Sequence, residues 1–553
     1  MRNYSKILNL LRKESNHTEI SISSEDRLKY ETIVEAGFSS PKFTLDNENV
    51  RKSYEYVQQL AKDRKAMYGV TTSFGGNVHH IIPPEQAKLL QRNLILSHAT
   101  NVGEHFPYHV SKGALTLRLH TLSQGYSGVN PKTLELMGKM LELGLVPVIN
   151  IHGSLGASGD IAPLAAIALT LIGEGYLWLP DGTTILPSAV ALKQFNLSPL
   201  VLSYKEGLAL LNGTSMMTTV SSFNLHYLKR LLENSLAVSA LTLQALRAST
   251  RPFDERLHKL KPHAYEIKTA KVMADLLKDG KFARSHEQFK EAIDLDLQKN
   301  TEAFYSKVDL QGGSYSLRAI PQIYHPILDA FENLRTTTDT EISAIDDNPL
   351  VLPDEHEELH GANFHGYAIS VASDTMNIAI AGVSNISLAR IDRILKSHHS
   401  NLPWFLATGT EGLYLGMHGV QFTAAGIGAE IHSLTTPLST TQFVTNNDNQ
   451  DFVSFGLQST VKGLEMTVLT AYVVAIEWMC AVQAIWLLLQ DKESGLSLDD
   501  LAPGTCKAYE VGLKIYTPIK DQDQVLTEAV EKLAEKILLD ELLPLPVTDT
   551  IWK

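Results

Sequence analysis

The sequence predicts a mainly α-helical fold with minor, short strands, and three observations carry the prediction. Apolar residues return at spacings of three and four over stretches far longer than a strand. Runs with strand character are brief and isolated. No repeat of solenoid period and no low-complexity linker divides the 553 residues, a length that can bury a large core in two domains or in one interleaved helical body.

In chain order, the opening "MRNYSKILNLLRKESNHTE" has basic residues, but its apolar run is too short and broken for a secretory signal. "EQAKLLQRNLILSHA", Glu85 to Ala99, is the first stretch with clear helical periodicity. "LVPVINI" (Leu145 to Ile151) and "TTILP" (Thr183 to Pro187) are strand candidates, so any sheet is an accessory. Between them lies "GSLGASGDIAPLA", Gly153 to Ala165, with three small residues between Gly156 and Asp160 ahead of an apolar run. So little side chain marks a tight turn or a close approach of backbone atoms. Two long helices follow, Ser221 to Ala248 and Ile369 to Ser397. Met466 to Gln490 is long enough to span a membrane but carries Glu477 and Gln483, which favours a buried helix in a large bundle with both groups paired. Soft breaks fall at Leu179 to Pro187, around Lys278 to Glu302, and at Leu352 to Gly366. The expected division is residues 1–220 as an N-terminal domain and 221–553 as a central long-helix bundle with a C-terminal helical cap.

Composition narrows the function. A net charge of -13 without a dense Lys/Arg stripe argues against a nucleic-acid partner. Two cysteines, Cys480 and Cys506, supply neither a disulfide framework nor a zinc-finger pattern, and suit a reducing compartment. The chain therefore reads as soluble and cytoplasmic, with no membrane partner. "GASGD" lacks the G-x-S-x-G spacing of a nucleophile elbow, and no phosphate-loop motif is present. His356, His360 and His365 lack metal-ligand spacing, and "DNQDFVSFGLQS" lacks the glycine and terminal glutamate of a calcium loop, so no metal is assigned.

Several polar clusters remain: "YGVTTSFGG" (from Tyr68), "SHATNVG" (from Ser97), "KEGLALLNGTS" (from Lys205), "GSYSLRAIPQ" (from Gly313), "DDNPL" (from Asp346), "NFHG" (from Asn363) and "NNDNQDFVSFG" (from Asn446). Alone, each reads as a turn or a helix cap. Together with "GSLGASGDIAPLA" they resemble the ammonia-lyase and aminomutase family, whose members build the electrophile 4-methylideneimidazol-5-one (MIO) from their own Ala-Ser-Gly backbone. The likeness runs in ordered motifs from about Tyr68 to Gly456, with Ile161 standing where leucine is commoner.

The resemblance implies the long-helix bundle of the histidine, phenylalanine and tyrosine ammonia-lyases, a fumarase/aspartase-like fold. It implies a homotetramer whose active sites collect motifs from several subunits, and it places the tyrosine loop and the MIO segment in the N-terminal domain. Carried onto this chain, MIO forms from Ala157, Ser158 and Gly159: the glycine nitrogen attacks the alanine carbonyl, two waters leave, and the serine supplies the methylidene carbon. By the same likeness Tyr68 is the base facing the β-carbon, Arg318 pairs with the substrate carboxylate, Tyr315 contacts the amine or prosthetic group, and Asn212 orients substrate and electrophile. An electrophile that captures the amine turns a poor leaving group into a better one, and a planar guanidinium suits a carboxylate. No further cofactor is required. The glycines of "LQGGSYSLR" are unusual for the family.

His98, in the Ser97-His98 pair, aligns with the position that reads the substrate ring, and can hydrogen-bond a phenol or an imidazole. Gln450 aligns where histidine-selective members carry a glutamate, and a neutral amide gives an imidazolium no charge partner, so tyrosine leads histidine. Phe364 packs near the prosthetic group or the ring. The expected activity is conversion of L-tyrosine to p-coumarate and ammonia. Ser73 and "ATNVG" resemble aminomutases and keep a 2,3-aminomutase open as the alternative; a histidine ammonia-lyase and a non-catalytic binding protein stand behind it.

Overall fold

The computed structural model describes residues 19–46, 48–303 and 310–552. Helices dominate it. The principal ones are α1 (Pro84–His98), α2 (Tyr108–Ser123), α3 (Ile161–Leu171), α4 (Glu206–Leu211), α5 (Ser215–Ala245), α6 (Ile320–Ile342), α7 (Tyr367–Leu395) and α8 (Gly456–Gln490). Prolines set the start of α1, where a missing N–H costs nothing because the first-turn donors have no helical acceptor. Helix α2 shows why amphipathic pattern is weak in places: every residue from His109 to Ser123 is buried, so there is no solvent face to alternate with.

The strands are short. "LVPVINI" splits, and it is not isolated: Val146–Pro147 joins Tyr176–Trp178 and Ile185–Pro187 in an antiparallel sheet, while Asn150–His152 pairs with Val102–His105. Two- and three-residue strands carry too few alternations for their partners to be read locally. The polar stretch around Lys278 to Glu302 contains a helix, His286–Lys299, opened by a Ser285/Gln288 capping box. None of its residues is buried, so it has no apolar stripe to announce it.

Two compact units divide the chain. The first comprises Met1–His226, Asn333–Thr375 and Thr436–Glu465; the second comprises Tyr227–Glu332, Met376–Thr435 and Met466–Lys553. In the second, Glu477 of α8 is the buried polar centre. It accepts hydrogen bonds from Arg390 Nε (2.6 Å) and Nη2 (2.8 Å), Ser387 Oγ (2.5 Å) and Thr242 Oγ1 (2.7 Å). Gln483 is equally satisfied, accepting from Tyr516 Oη and the Ile519 N–H and donating to the Ile519 carbonyl. Helix α8 meets the length and hydropathy of a membrane span, yet its apolar window is 78% buried within the protein and Glu477 and Gln483 are both paired.

Candidate active site

The first unit contains a cavity of about 860 Å³. Eight of the ten residues expected from the sequence line it: Tyr68, His98, Ala157, Ser158, Gly159, Asn212, Phe364 and Gln450. They come from six separated stretches of chain, so the packing of the unit, not sequence proximity, collects them.

The Ala157-Ser158-Gly159 segment is gripped on both sides. Upstream, Ser454 Oγ donates to the Gly156 carbonyl (2.9 Å) and the Phe455 N–H to the Leu155 carbonyl (3.1 Å). Downstream, the Gly213 N–H donates to the Ser158 carbonyl (3.3 Å) and the Asp160 N–H to the Gly213 carbonyl (2.7 Å). Gly159 has φ +73°, and a Cβ there would collide with the Gly213 carbonyl, so only glycine fits. The two groups that the expected cyclisation would draw on are a glycine closely packed against Gly213 at position 159 and a serine at the cavity wall.

Asp160 closes the segment from below. It is fully buried, accepts from Ser154 Oγ (2.9 Å) and the Met217 N–H (2.7 Å), and burial pushes its pKa up to about 7. Asn212 stands on a buried ionic network. Its side-chain amide donates to Asp347 Oδ1 (3.1 Å) and to the Asn348 carbonyl (2.9 Å), which leaves the side-chain oxygen as the group to present to the cavity. Asp347 is paired in turn with Lys205 Nζ (2.5 Å), and Asp346 with Arg118 (3.0 Å) and the Thr214 N–H (2.7 Å). Burial lowers the Lys205 pKa and raises that of Asp346, each opposed by its ion-pair partner.

Tyr68 sits in a loop that pairs with itself: the Ser73 N–H donates to the His80 carbonyl and the Ile82 N–H to the Thr71 carbonyl, both at 2.9 Å. The Tyr68 hydroxyl oxygen accepts the Gly75 N–H (2.8 Å), so its own proton is not used in that bond. Phe74 and His360 meet the Tyr68 ring edge-on, at 6.3 and 6.0 Å between centroids.

Opposite lies the turn 445–450. Asn446, Asn447 and Asp448 are all left-handed (φ 56°, 51° and 63°), a conformation costing about 1–2 kcal/mol per residue and least unfavourable for Asn and Asp. Backbone bonds between Thr445 and Gln450 (2.9 and 3.2 Å) hold it. At its end Gln450 Nε2 donates to Ser158 Oγ (3.3 Å) while Gln450 Oε1 accepts from Thr445 Oγ1 (3.1 Å).

His98 ends α1. Its Nδ1 lies 2.8 Å from the Leu94 carbonyl, which can only accept, so Nδ1 donates there and Nε2 is the ring nitrogen left outside that bond.

Tyr315 and Arg318 are not among the residues lining this cavity. They occupy a short helical turn of the second unit and line a separate depression of about 550 Å³ with Arg251, Arg256 and Gln322. Arg318 lies 4.9 Å from the Tyr315 ring centroid, its Nε is buried without a hydrogen-bond partner, and Tyr315 is 73% exposed.

Four features were not assigned from sequence: His360 and Asn446 in the cavity lining, and, buried behind it, Asp160 and the Asp346-Asp347 pair. The acidic pair lies in the quoted "DDNPL", and its signal is two carboxylates ahead of a proline; its partners Arg118 and Lys205 are more than a hundred residues away. His360 reads as one of three loop histidines until the fold sets it against Tyr68.

A family model described as aromatic amino acid lyase matches residues 28–510. A tyrosine 2,3-aminomutase of Myxococcus fulvus is 39% identical over 420 residues, covering 76% of this chain and 79% of that protein. A histidine ammonia-lyase of Gloeobacter violaceus is 36% identical, covering 90% and 91%, and a tyrosine ammonia-lyase of Cupriavidus metallidurans is 35% identical, covering 86% and 88%. The solved structure of a phenylalanine aminomutase from Pantoea agglomerans aligns with a TM-score of 0.87 at 32% identity, over 94% of this chain and 99% of that one.

Proposed function

Since the chain belongs to the aromatic amino acid lyase family, we propose that it eliminates ammonia from L-tyrosine to give p-coumarate. The observation that carries the choice of substrate is the placement of His98: it lines the cavity with Nδ1 engaged by the Leu94 carbonyl, so Nε2 is the ring nitrogen free to pair with a phenol hydroxyl, and phenylalanine would leave it unpaired. Gln450 is neutral and offers an imidazolium no counter-charge, which sets histidine behind tyrosine.

In this proposal Ala157, Ser158 and Gly159 hold the MIO group. Once formed, the group supplies an electrophilic carbon that makes the substrate amine a better leaving group. The chain's own residues do the rest. Asn212, its amide protons engaged by Asp347 and Asn348, presents its oxygen to the substrate amine. Tyr68 takes the β-proton; the electron pair of the broken C–H bond becomes the new C=C bond as the C–N bond breaks and nitrogen leaves as ammonia. A positioned base of this kind is worth about 10²–10⁴-fold.

Arg318 pairs with the carboxylate and Tyr315 contacts the amine. Neither is among the residues lining the Ser158 cavity, and the proposal takes them, as the family resemblance implies, from a neighbouring subunit of a homotetramer. The exposed apolar side chains of Tyr367, Val371 and Ile378, in one stripe along α7, support such an assembly. The site of action is placed in the cytoplasm, in keeping with two free cysteines.

A second reading is supported by the Myxococcus relative and by the Tyr68 loop, which is tied down at its tip: a 2,3-aminomutase that retains the unsaturated acid and returns the amine to the β-carbon. Separate incubations with L-tyrosine, L-phenylalanine and L-histidine, with chromatography of unsaturated acid, β-amino acid and ammonia, test both. Coumarate with ammonia supports the lyase, β-tyrosine supports the mutase, and no turnover of tyrosine overturns the substrate. Near-ultraviolet absorbance that disappears in Ser158→Ala separates an enzyme from a binding protein of the same fold.

A further inference from the structure

We propose that Asn446 is a positioning residue that latches the Tyr68 loop over the cavity and, through Gly75 and Gly76, sets the orientation of the Tyr68 hydroxyl. The proposal rests on the reading of Tyr68 as the base.

Consecutive amides carry the argument. The Gly76 N–H donates to Asn446 Oδ1 (3.1 Å), and the preceding N–H, that of Gly75, donates to the Tyr68 hydroxyl oxygen (2.8 Å). An acceptor on Asn446 that fixes the Gly75-Gly76 backbone therefore also fixes the donor aimed at Tyr68. The packing agrees: a Cβ on Gly76 would lie 2.5 Å from the Asn446 carbonyl oxygen and 2.8 Å from Asn447 Cβ, and one on Gly75 would overlap the Asn446 side-chain amide. The two glycines admit the turn.

The latch is built on a fixed base. Left-handed Asn446, Asn447 and Asp448 are closed by the Asn449 N–H to the Asn446 carbonyl (3.2 Å) and by the Thr445–Gln450 pair, so Asn446 cannot drift from its place while the turn is intact. The loop it touches is a self-paired hairpin, bridged at Thr72 and Ile81, whose tip is the part in contact. The same turn ends in Gln450 against Ser158, so one rigid hexapeptide touches both the loop of the base and the residue that forms the electrophile.

Hydrogen exchange of peptides spanning residues 68–82 in the purified protein, together with kcat and KM for L-tyrosine and the near-ultraviolet chromophore, tests the proposal. Asn446→Ala is expected to speed exchange about tenfold, the equivalent of one lost hydrogen bond, and to lower kcat by a similar factor with KM little changed and the chromophore intact. Asn446→Asp, which keeps an oxygen acceptor, is expected to stay near the parent in both measurements. Gly76→Ala, which displaces the latch from the other side, should reproduce the Asn446→Ala result. Unchanged exchange in Asn446→Ala, or equal losses in the Ala and Asp variants, overturns the proposal. Exchange needs no substrate, so a failure of tyrosine turnover in the parent protein would be seen separately.

Discussion

The Gln450 side-chain amide donates to Ser158 Oγ across 3.3 Å, from a turn 292 residues further along the chain. Thr445 Oγ1 occupies the Gln450 side-chain oxygen, so the amide nitrogen is the end that faces Ser158.

Replacing that donor by a charged acceptor should change the substrate. Gln450→Glu is expected to lower kcat/KM for L-tyrosine about tenfold or more and to raise that for L-histidine, whose imidazolium gains a carboxylate partner. Product analysis of a tyrosine–histidine mixture reads the ratio directly; a ratio identical to the parent's would remove Gln450 from substrate selection.

His98→Phe tests the ring end of the pocket. With Nε2 gone, the tyrosine hydroxyl loses its partner while phenylalanine no longer leaves one unpaired, and the preference is expected to move toward phenylalanine by about 10- to 100-fold. Parallel kcat/KM values for the two amino acids decide it. A parallel fall for both would make His98 structural.

Beneath Asn212 the Lys205–Asp347 pair has no exposure to solvent. Asp347→Ala leaves an unpaired buried cation and is expected to cost about 3–5 kcal/mol of stability. The double variant Lys205→Met/Asp347→Leu should regain most of that in denaturant unfolding, yet stay impaired in turnover because Asn212 has lost an acceptor. Full activity in the double variant would show that Asn212 holds its orientation without Asp347.

Asp160 links stability to pH. Burial raises its pKa to about 7 from the ordinary 3.8, so the folded protein holds this proton more tightly than the unfolded chain. Its stabilising contribution is complete below about pH 4 and is lost as pH rises to 7, on the order of 4 kcal/mol at about 1.4 kcal/mol per unit. Glu206, Glu341 and Asp346, raised by burial too, act with the same sign. Unfolding in urea at pH 5, 6 and 7 should therefore show a shallower decline for Asp160→Asn than for the parent; identical slopes would contradict the assignment.

Much of the fold is visible in the sequence because helix periodicity is local. Glu85 to Ala99 and Ile369 to Ser397 announce α1 and α7 to within two residues, and the polar pair on Met466 to Gln490 already favours a buried bundle helix. The helix His286–Lys299 is missed for the converse reason, since it buries nothing, and the partners of Val146–Pro147 are missed because strand pairing is not local.

For the site, the sequence by itself determines residue chemistry: the Ala157-Ser158-Gly159 tripeptide, a histidine at 98, a neutral amide at 450. Even the partner of His98 Nδ1, the Leu94 carbonyl, lies only four residues back along one helix. Tertiary structure alone decides what stands behind them. Asp347 meets Lys205 across 142 residues and Asp346 meets Arg118 across 228, and Asn446 reaches Gly76 across 370. Any of these carboxylates and amides, read along the chain, could serve as a turn or a cap. Only burial against a particular distant partner, where an unpaired polar group is costly, assigns each one its place.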